Sequence, residues 1–176
     1  MRYMKKNTSG YGSGMMSFLL CSLFLLCGAA AGCYSGAHAD VASLSLAESG
    51  RSFGEYLVIN FVGVGLALLL GSSCVGFLIL PLLNGTAGFI CGFVMTAVML
   101  FEGSWGRAFV GCGWIIVLAL PVFSVLCACA ARASASACRA VLLGVRADGE
   151  ALNCFVKMLM ISTALAVLLA IAASAI

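Results

Sequence analysis

The hydrophobic pattern of the chain consists of long unbroken apolar runs separated by short polar stretches. Apolar residues fill Met15 to Tyr34, no charged residue occurs from Tyr56 to Phe101, and apolar runs resume over Ala108–Ala131 and from Cys154 onward. An α-helix rises 1.5 Å per residue and needs about 20 residues to cross a hydrocarbon core of about 30 Å, so each run is long enough to span a membrane. Barrel strands would alternate apolar and polar residues at period two, whereas Leu57–Leu70 and Ile115–Ala131 are continuous. The run from 56 to 101 is twice one span and has to divide. Gly71-Ser72-Ser73-Cys74 is the expected break, because glycine and serine weaken a helix. The pattern predicts an all-α membrane protein, a bundle of about five transmembrane helices over 15–34, 56–71, 76–101, 108–131 and 154–175, all in one polytopic domain covering 1–176.

The third helix is expected to be kinked or broken. Pro81 removes a backbone hydrogen bond, and Asn84-Gly85-Thr86 has the composition of a turn. Two forms are open: a true break with Gly85 at positive φ, or a continuous helix in which Asn84 bonds to a neighbouring helix.

Composition agrees with this pattern. The chain is 64% hydrophobic and 9% charged, against roughly 25% charged in soluble domains, so it cannot build a water-facing surface. Its surplus apolar area is expected to face lipid, where a helix satisfies its own backbone. The formal net charge of +3 does not point to nucleic acid, because the charges fall in short segments at span ends. With the N-terminus inside and five spans, the inner segments hold Arg2, Lys5, Lys6, Arg132, Arg139, Arg146 and Lys157. The outer ones hold only Arg51 and Arg107, beside Asp40, Glu48, Glu55 and Glu102. This bias predicts a multi-pass cell-membrane protein with a cytoplasmic N-terminus and an external C-terminus. Tyr34, Tyr56, Trp105 and Trp114 then fall near outer span ends, as interfacial anchors do. Ala37-His38-Ala39 has the form of a signal-peptidase site, and Ala30-Ala31-Gly32-Cys33 loosely resembles a lipoprotein processing site. The apolar run before them exceeds a usual signal h-region, which favours a retained anchor.

Candidate chemistry is sparse. The ten cysteines form no C-x-x-C pair and His38 is the single histidine, so no metal centre, cofactor site or disulfide framework is expected. The cysteines read as small hydrophobes in helix interfaces. Neither paired carboxylates within a span nor a serine with a nearby base occurs, so no catalytic residue is assigned. Gly63, Ala67 and Gly71 recur every fourth residue, and Gly28/Gly32 and Gly88/Gly92 repeat that spacing. In lipid such faces allow close backbone approach, and packing is the favoured reading over a ligand groove. Asn60, Asn84, Thr86 and Thr96 are polar groups within apolar runs, suited to interhelical hydrogen bonds or a pathway. Arg132, Arg139 and Arg146 are seven apart, which would align them on an amphipathic helix over 132–152 lying on the inner membrane surface.

From Phe53 to Ser124 the order of features resembles the stage II sporulation protein M family of bacterial membrane proteins. The resemblance is carried by Asn60, the run Gly76-Phe77-Leu78-Ile79-Leu80-Pro81, Asn84-Gly85, Gly88-Phe89, Gly92-Phe93, Gly103, Gly106 and Pro121. Family members often carry a His-Gly pair followed by a glutamate in the next helix, where this chain has Gly113-Trp114-Ile115. The resemblance implies a non-enzymatic membrane scaffold acting in sporulation. The family's founding member anchors cell-wall hydrolases at the septal membrane during engulfment of the developing spore. Expected partners are the lipid bilayer and membrane or extracytoplasmic proteins, with self-association left open. The alternative function class is a small permease or channel component.

Overall fold

The computed structural model describes residues 9–38, 53–102, 114–144 and 146–174. The N-terminal basic cluster, the segment with Asp40, Glu48 and Arg51, and the loop with Gly103, Trp105, Gly106 and Arg107 lie outside the described residues. Five helices follow one another: α1 (Ser9–Ala37), α2 (Phe53–Ser72), α3 (Gly76–Glu102), α4 (Trp114–Leu143) and α5 (Gly149–Ser174). No strand occurs among the described residues. The chain is therefore all-α, and α1, α3, α4 and α5 are each long and apolar enough to cross a membrane. The fifth helix, α2, has 20 residues, of which Val62–Ser72 is the described apolar stretch.

The bundle is organised around α4, which touches each of the other four helices. Its middle carries Leu126, Cys127, Ala128, Ala130, Ala131, Ala133 and Ser134, all buried. This small-residue run explains its central place, since several helices can approach a narrow helix at once. In lipid, association depends on such van der Waals contact rather than on escape from water. Long side chains point the other way: Met15, Leu26, Leu69, Leu78, Met160 and Leu168 are all exposed, as suits a lipid-facing exterior.

The tightest seam joins α1 to α3. A Cβ built on Gly28 would overlap the Gly85 carbonyl oxygen, one on Gly32 the Phe89 oxygen, and one on Gly36 would meet the Phe93 oxygen at 2.8 Å. The relation is reciprocal, because Cβ atoms on Gly88 and Gly92 would overlap the carbonyl oxygens of Leu25 and Ala29. The offset stays constant along the seam (85 − 28 = 89 − 32 = 93 − 36 = 57), so the two helices run parallel, backbone against backbone. The Cys33 thiol donates to the Gly92 carbonyl at 3.6 Å within the same seam. The Gly28/Gly32 and Gly88/Gly92 spacings both lie on this seam.

Two connections sit at one end of the bundle. The division after Gly71 falls where the sequence places it, and α2 passes into α3 through a three-residue turn, 73–75. The Ser73 N–H donates to the Leu70 carbonyl at 3.1 Å, continuing the last turn of α2. The fully buried Ser134 of α4 closes this turn. Its hydroxyl donates to the Ser73 carbonyl and accepts the Phe77 N–H at 2.9 Å, one of the N-terminal donors that a helix leaves unpaired. The second connection turns at Gly144, whose φ of 62° suits glycine. Asp148 then caps α5. Its carboxylate accepts from the Glu150 N–H and from Arg132, at 3.1 and 3.2 Å, while its own N–H donates to Ser136 at 3.1 Å.

The structure decides between the two forms open for α3 and corrects the end of the fourth helix. Helix α3 is continuous through Asn84-Gly85, and Gly144 is the one glycine at positive φ among the described residues. Pro81 is accommodated inside the helix, and Gly85 serves close approach to α1, with the Phe24 carbonyl 3.2 Å from its built Cβ. The fourth helix does not stop at Ala131. It continues to Leu143, so Arg132 and Arg139 ride on the end of α4 and Arg146 lies in the connection beyond it. The three arginines therefore share an end of the bundle but not one helix. Continuation is cheap for this segment, because Ala133, Ser134 and Ser136 stay buried against the rest of the bundle.

Candidate functional site

Asn84 is the polar centre of the bundle. It is fully buried, and its side chain joins three helices. Its Nδ2 donates to the Cys21 carbonyl of α1 at 2.8 Å, and its Oδ1 accepts the Ser124 hydroxyl of α4 at 3.0 Å. Asn84 lies eight residues into α3, about 12 Å along its axis, well inside the apolar stretch Gly76–Ala97 that is long enough to cross a membrane. At that depth an amide needs protein partners, because lipid offers none. Leu80, Leu126 and Cys127, which belong to one core cluster along the axis of the bundle, are likewise without exposure. The arrangement fixes the register of α1, α3 and α4 against one another. No group that could accept or release a proton near neutral pH takes part in these bonds.

A cavity of about 400 Å³ lies to one side, lined by α2, α3, α4 and α5. Gly63, Ala87, Cys91, Phe123, Ser162 and Leu165 are among its walls. It forms where α2 and α3 diverge from their shared turn. Gly63 on α2, with only the Phe123 ring near its built Cβ, leaves part of the space unfilled.

This cavity divides the predicted small-residue face of α2. Ala67 is fully buried in the core, and Gly71 is tightly packed, with the Phe155 ring 2.8 Å and the Ala130 Cβ 3.0 Å from its built Cβ. Gly63 has only the Phe123 ring at 3.4 Å and opens onto the cavity. Packing describes Ala67 and Gly71, while Gly63 belongs to the groove. Asn60 sits on α2, but its side chain lies outside the described ones. Thr86 turns its hydroxyl back to the Leu83 carbonyl at 2.8 Å, within its own helix. Gly85, Gly88 and Gly92 form the α3 side of the seam with α1.

Among the cysteines, Cys21 and Cys127 are buried as small core residues. Cys129 of α4 and Cys154 of α5 bring their sulfurs to 3.3 Å, a contact that sequence spacing does not reveal. Arg132 pairs with Asp148 at 3.2 Å with both side chains partly exposed, a pair worth about 0–1 kcal/mol. Arg139 and Arg146 are exposed at the same end.

Ser124 and Ser134 are the functional positions that the sequence reading misses. Both are serines in apolar or small-residue context, where a hydroxyl bonded to its own helix is the ordinary expectation. Only the crossing of helices shows that each serves another element. Compared with protein-family models, with curated proteins and with solved structures, the chain gives no match.

Proposed function

We propose that this protein is a non-enzymatic scaffold that crosses the cell membrane five times and holds partner proteins there. The observation that carries the reading is the closed axis. Cys21, Leu80, Asn84, Leu126 and Cys127 are fully buried where α1, α3 and α4 meet, and glycine packing locks α1 to α3. A filled axis suits a platform better than a conduit. The resemblance to the stage II sporulation protein M family supports the same reading, with cell-wall hydrolases as the partner class. The backbone contact of α1 with α3 supports α1 as a retained anchor.

Mild crosslinking in native membranes followed by purification is expected to recover an extracytoplasmic cell-wall hydrolase. Liposomes holding the purified protein are expected to show no solute flux. Flux abolished by Asn84→Ala would replace the scaffold with a permease.

The orientation is cytoplasmic for the N-terminus and external for the C-terminus. It is supported by the parallel course of α1 and α3, and by the α2–α3 turn and the α4–α5 connection sharing one end with Arg132, Arg139 and Arg146. Exposed arginines there suit the anionic headgroups of the inner leaflet. In single-cysteine variants probed on intact cells, an impermeant maleimide is expected to label Ser104→Cys and to spare Ala147→Cys. The reverse pattern would invert the topology.

A further inference from the structure

We propose that Cys129 and Cys154 are a reversible disulfide site, a thiol pair that a hydroperoxide oxidises into a covalent clasp between α4 and α5. The two sulfurs lie 3.3 Å apart across the helix crossing, and both thiols are free. A disulfide is about 2.05 Å long, so side-chain rotations that move each sulfur about 0.6 Å close the bond. The contact is held in place by its surroundings. On α4, Cys129 stands between the buried Ala128 and Ala130 and packs against the core. On α5, Ala151 and Phe155 are buried on either side of Cys154, and the Phe155 ring lies against Gly71. These anchors fix the rotation of both helices, so the thiols keep facing each other. Among the described cysteines no other pair makes a thiol–thiol contact. The described residues gather no group of three His, Cys, Asp or Glu side chains that could hold a metal ion, and two facing thiols are what a disulfide requires.

The two thiols differ in access, which assigns them different steps. Cys154 is exposed and Cys129 is partly buried. The Cys154 sulfur attacks the peroxide, an S–O bond forms as the O–O bond breaks, and the thiol proton leaves with the departing oxygen. The products are a sulfenic acid and an alcohol, or water when the oxidant is hydrogen peroxide. The Cys129 sulfur then displaces the sulfenic hydroxyl, which departs as water with the Cys129 proton, and the S–S bond is made. The two thiols lose two electrons and the peroxide gains them. Cys154 lies five residues beyond the start of α5, about 8 Å along its axis, just inside the Arg132–Asp148 pair. That partly exposed ion pair adds little to the hold of α4 on α5, so a covalent bond beside it changes how firmly the two are joined. In the orientation proposed above this is the cytoplasmic side, where thiols are kept reduced and a disulfide is a transient response to oxidant. The sensing role rests on that orientation, and the bond-forming chemistry does not.

The test uses the full chain in native membranes, treated with hydrogen peroxide and then with N-ethylmaleimide to block the remaining thiols. Mass spectrometry without reduction is expected to find peptides joined through Cys129 and Cys154 in most chains, and dithiothreitol is expected to part them. With dimedone present, Cys129→Ser is expected to carry the sulfenic-acid label on Cys154, and Cys154→Ser to carry none on Cys129. Oxidation is expected to raise the thermal transition of the purified wild type by about 5 °C, because it ties residues 25 apart in sequence, and to leave both serine variants unmoved. Cys129 and Cys154 still open to maleimide after the exposed Cys27 and Cys74 have been oxidised would overturn the proposal. So would Cys154 joined to Cys154 of a second copy, or a wild-type transition that oxidation does not raise. These three outcomes are read on the wild type, so they stand even where a serine variant fails to fold.

Discussion

Gly32→Leu is expected to undock α1 from α3 and to lower the thermal transition in detergent by about 10 °C or more, the scale of a loss of about 4 kcal/mol. The first added carbon already overlaps the Phe89 carbonyl oxygen, and that oxygen belongs to helix backbone that cannot rotate aside. Relief requires the two helices to separate. Separation gives up the contacts at Gly28, Gly36, Gly88 and Gly92 together, because all lie on one parallel seam. Gly65→Leu is the matched control. The same substitution there meets nothing within 4 Å of the added Cβ and is expected to shift the transition by about 2 °C at most. Equal shifts for the two variants would remove the seam as the source of stability.

Asn84→Ala is the second large effect, expected at about 2–4 kcal/mol. Interhelical hydrogen bonds in membranes are worth about 0.6 kcal/mol on average and up to about 1.7, so the bonds to Cys21 and from Ser124 supply part of this. The remainder is the void left in a fully buried position. Asn84→Leu separates the two contributions. Leucine restores the volume, the Cys21 carbonyl keeps its bond within α1, and the Ser124 hydroxyl can turn to its own helix. The leucine variant is therefore expected to be more stable than the alanine variant by at least about 1 kcal/mol in thermal or denaturant unfolding. A leucine variant as unstable as the alanine one would show that the amide bonds, and not the packing, hold this position.

Much of the fold was legible because its causes are local. Run length and continuity gave the helices, and Gly71-Ser72-Ser73 gave the α2–α3 turn, since both depend only on neighbours along the chain. The glycine spacings at 28/32 and 88/92 were readable as close-approach faces, although which face met which was not: pairing is a property of two distant segments. Asn84-Gly85 left two forms open for the same reason. Their turn-like composition is a local preference, and it was overridden by the Cys21 carbonyl, the Ser124 hydroxyl and the α1 backbone, none of them near in sequence. The extension of α4 past Arg132 is not legible in the apolar run, which ends at Ala131, because Asp148 and Ser136 anchor that end from within the fold. Gly63 could not be told from Gly71 by spacing. What separates them is a Phe155 ring on one and a vacant cleft beside the other.

The seam between the first helix and the third also sets an order of events during synthesis. Helix α1 enters the bilayer before α3 has been translated, with its row of Gly28, Gly32 and Gly36 bare. Until the ribosome has passed Gly92, the surface most like the missing partner is the same row on another nascent copy, and parallel chains inserted side by side present it in the right direction. Polysomes crowd such copies together. The short α2–α3 turn limits this exposure, because α3 follows α2 into the membrane almost at once and reaches α1 from the correct side. A chain truncated before Gly76 keeps the row bare indefinitely and should pair with itself through α1 as a parallel dimer, on the face that α3 occupies in the full-length fold.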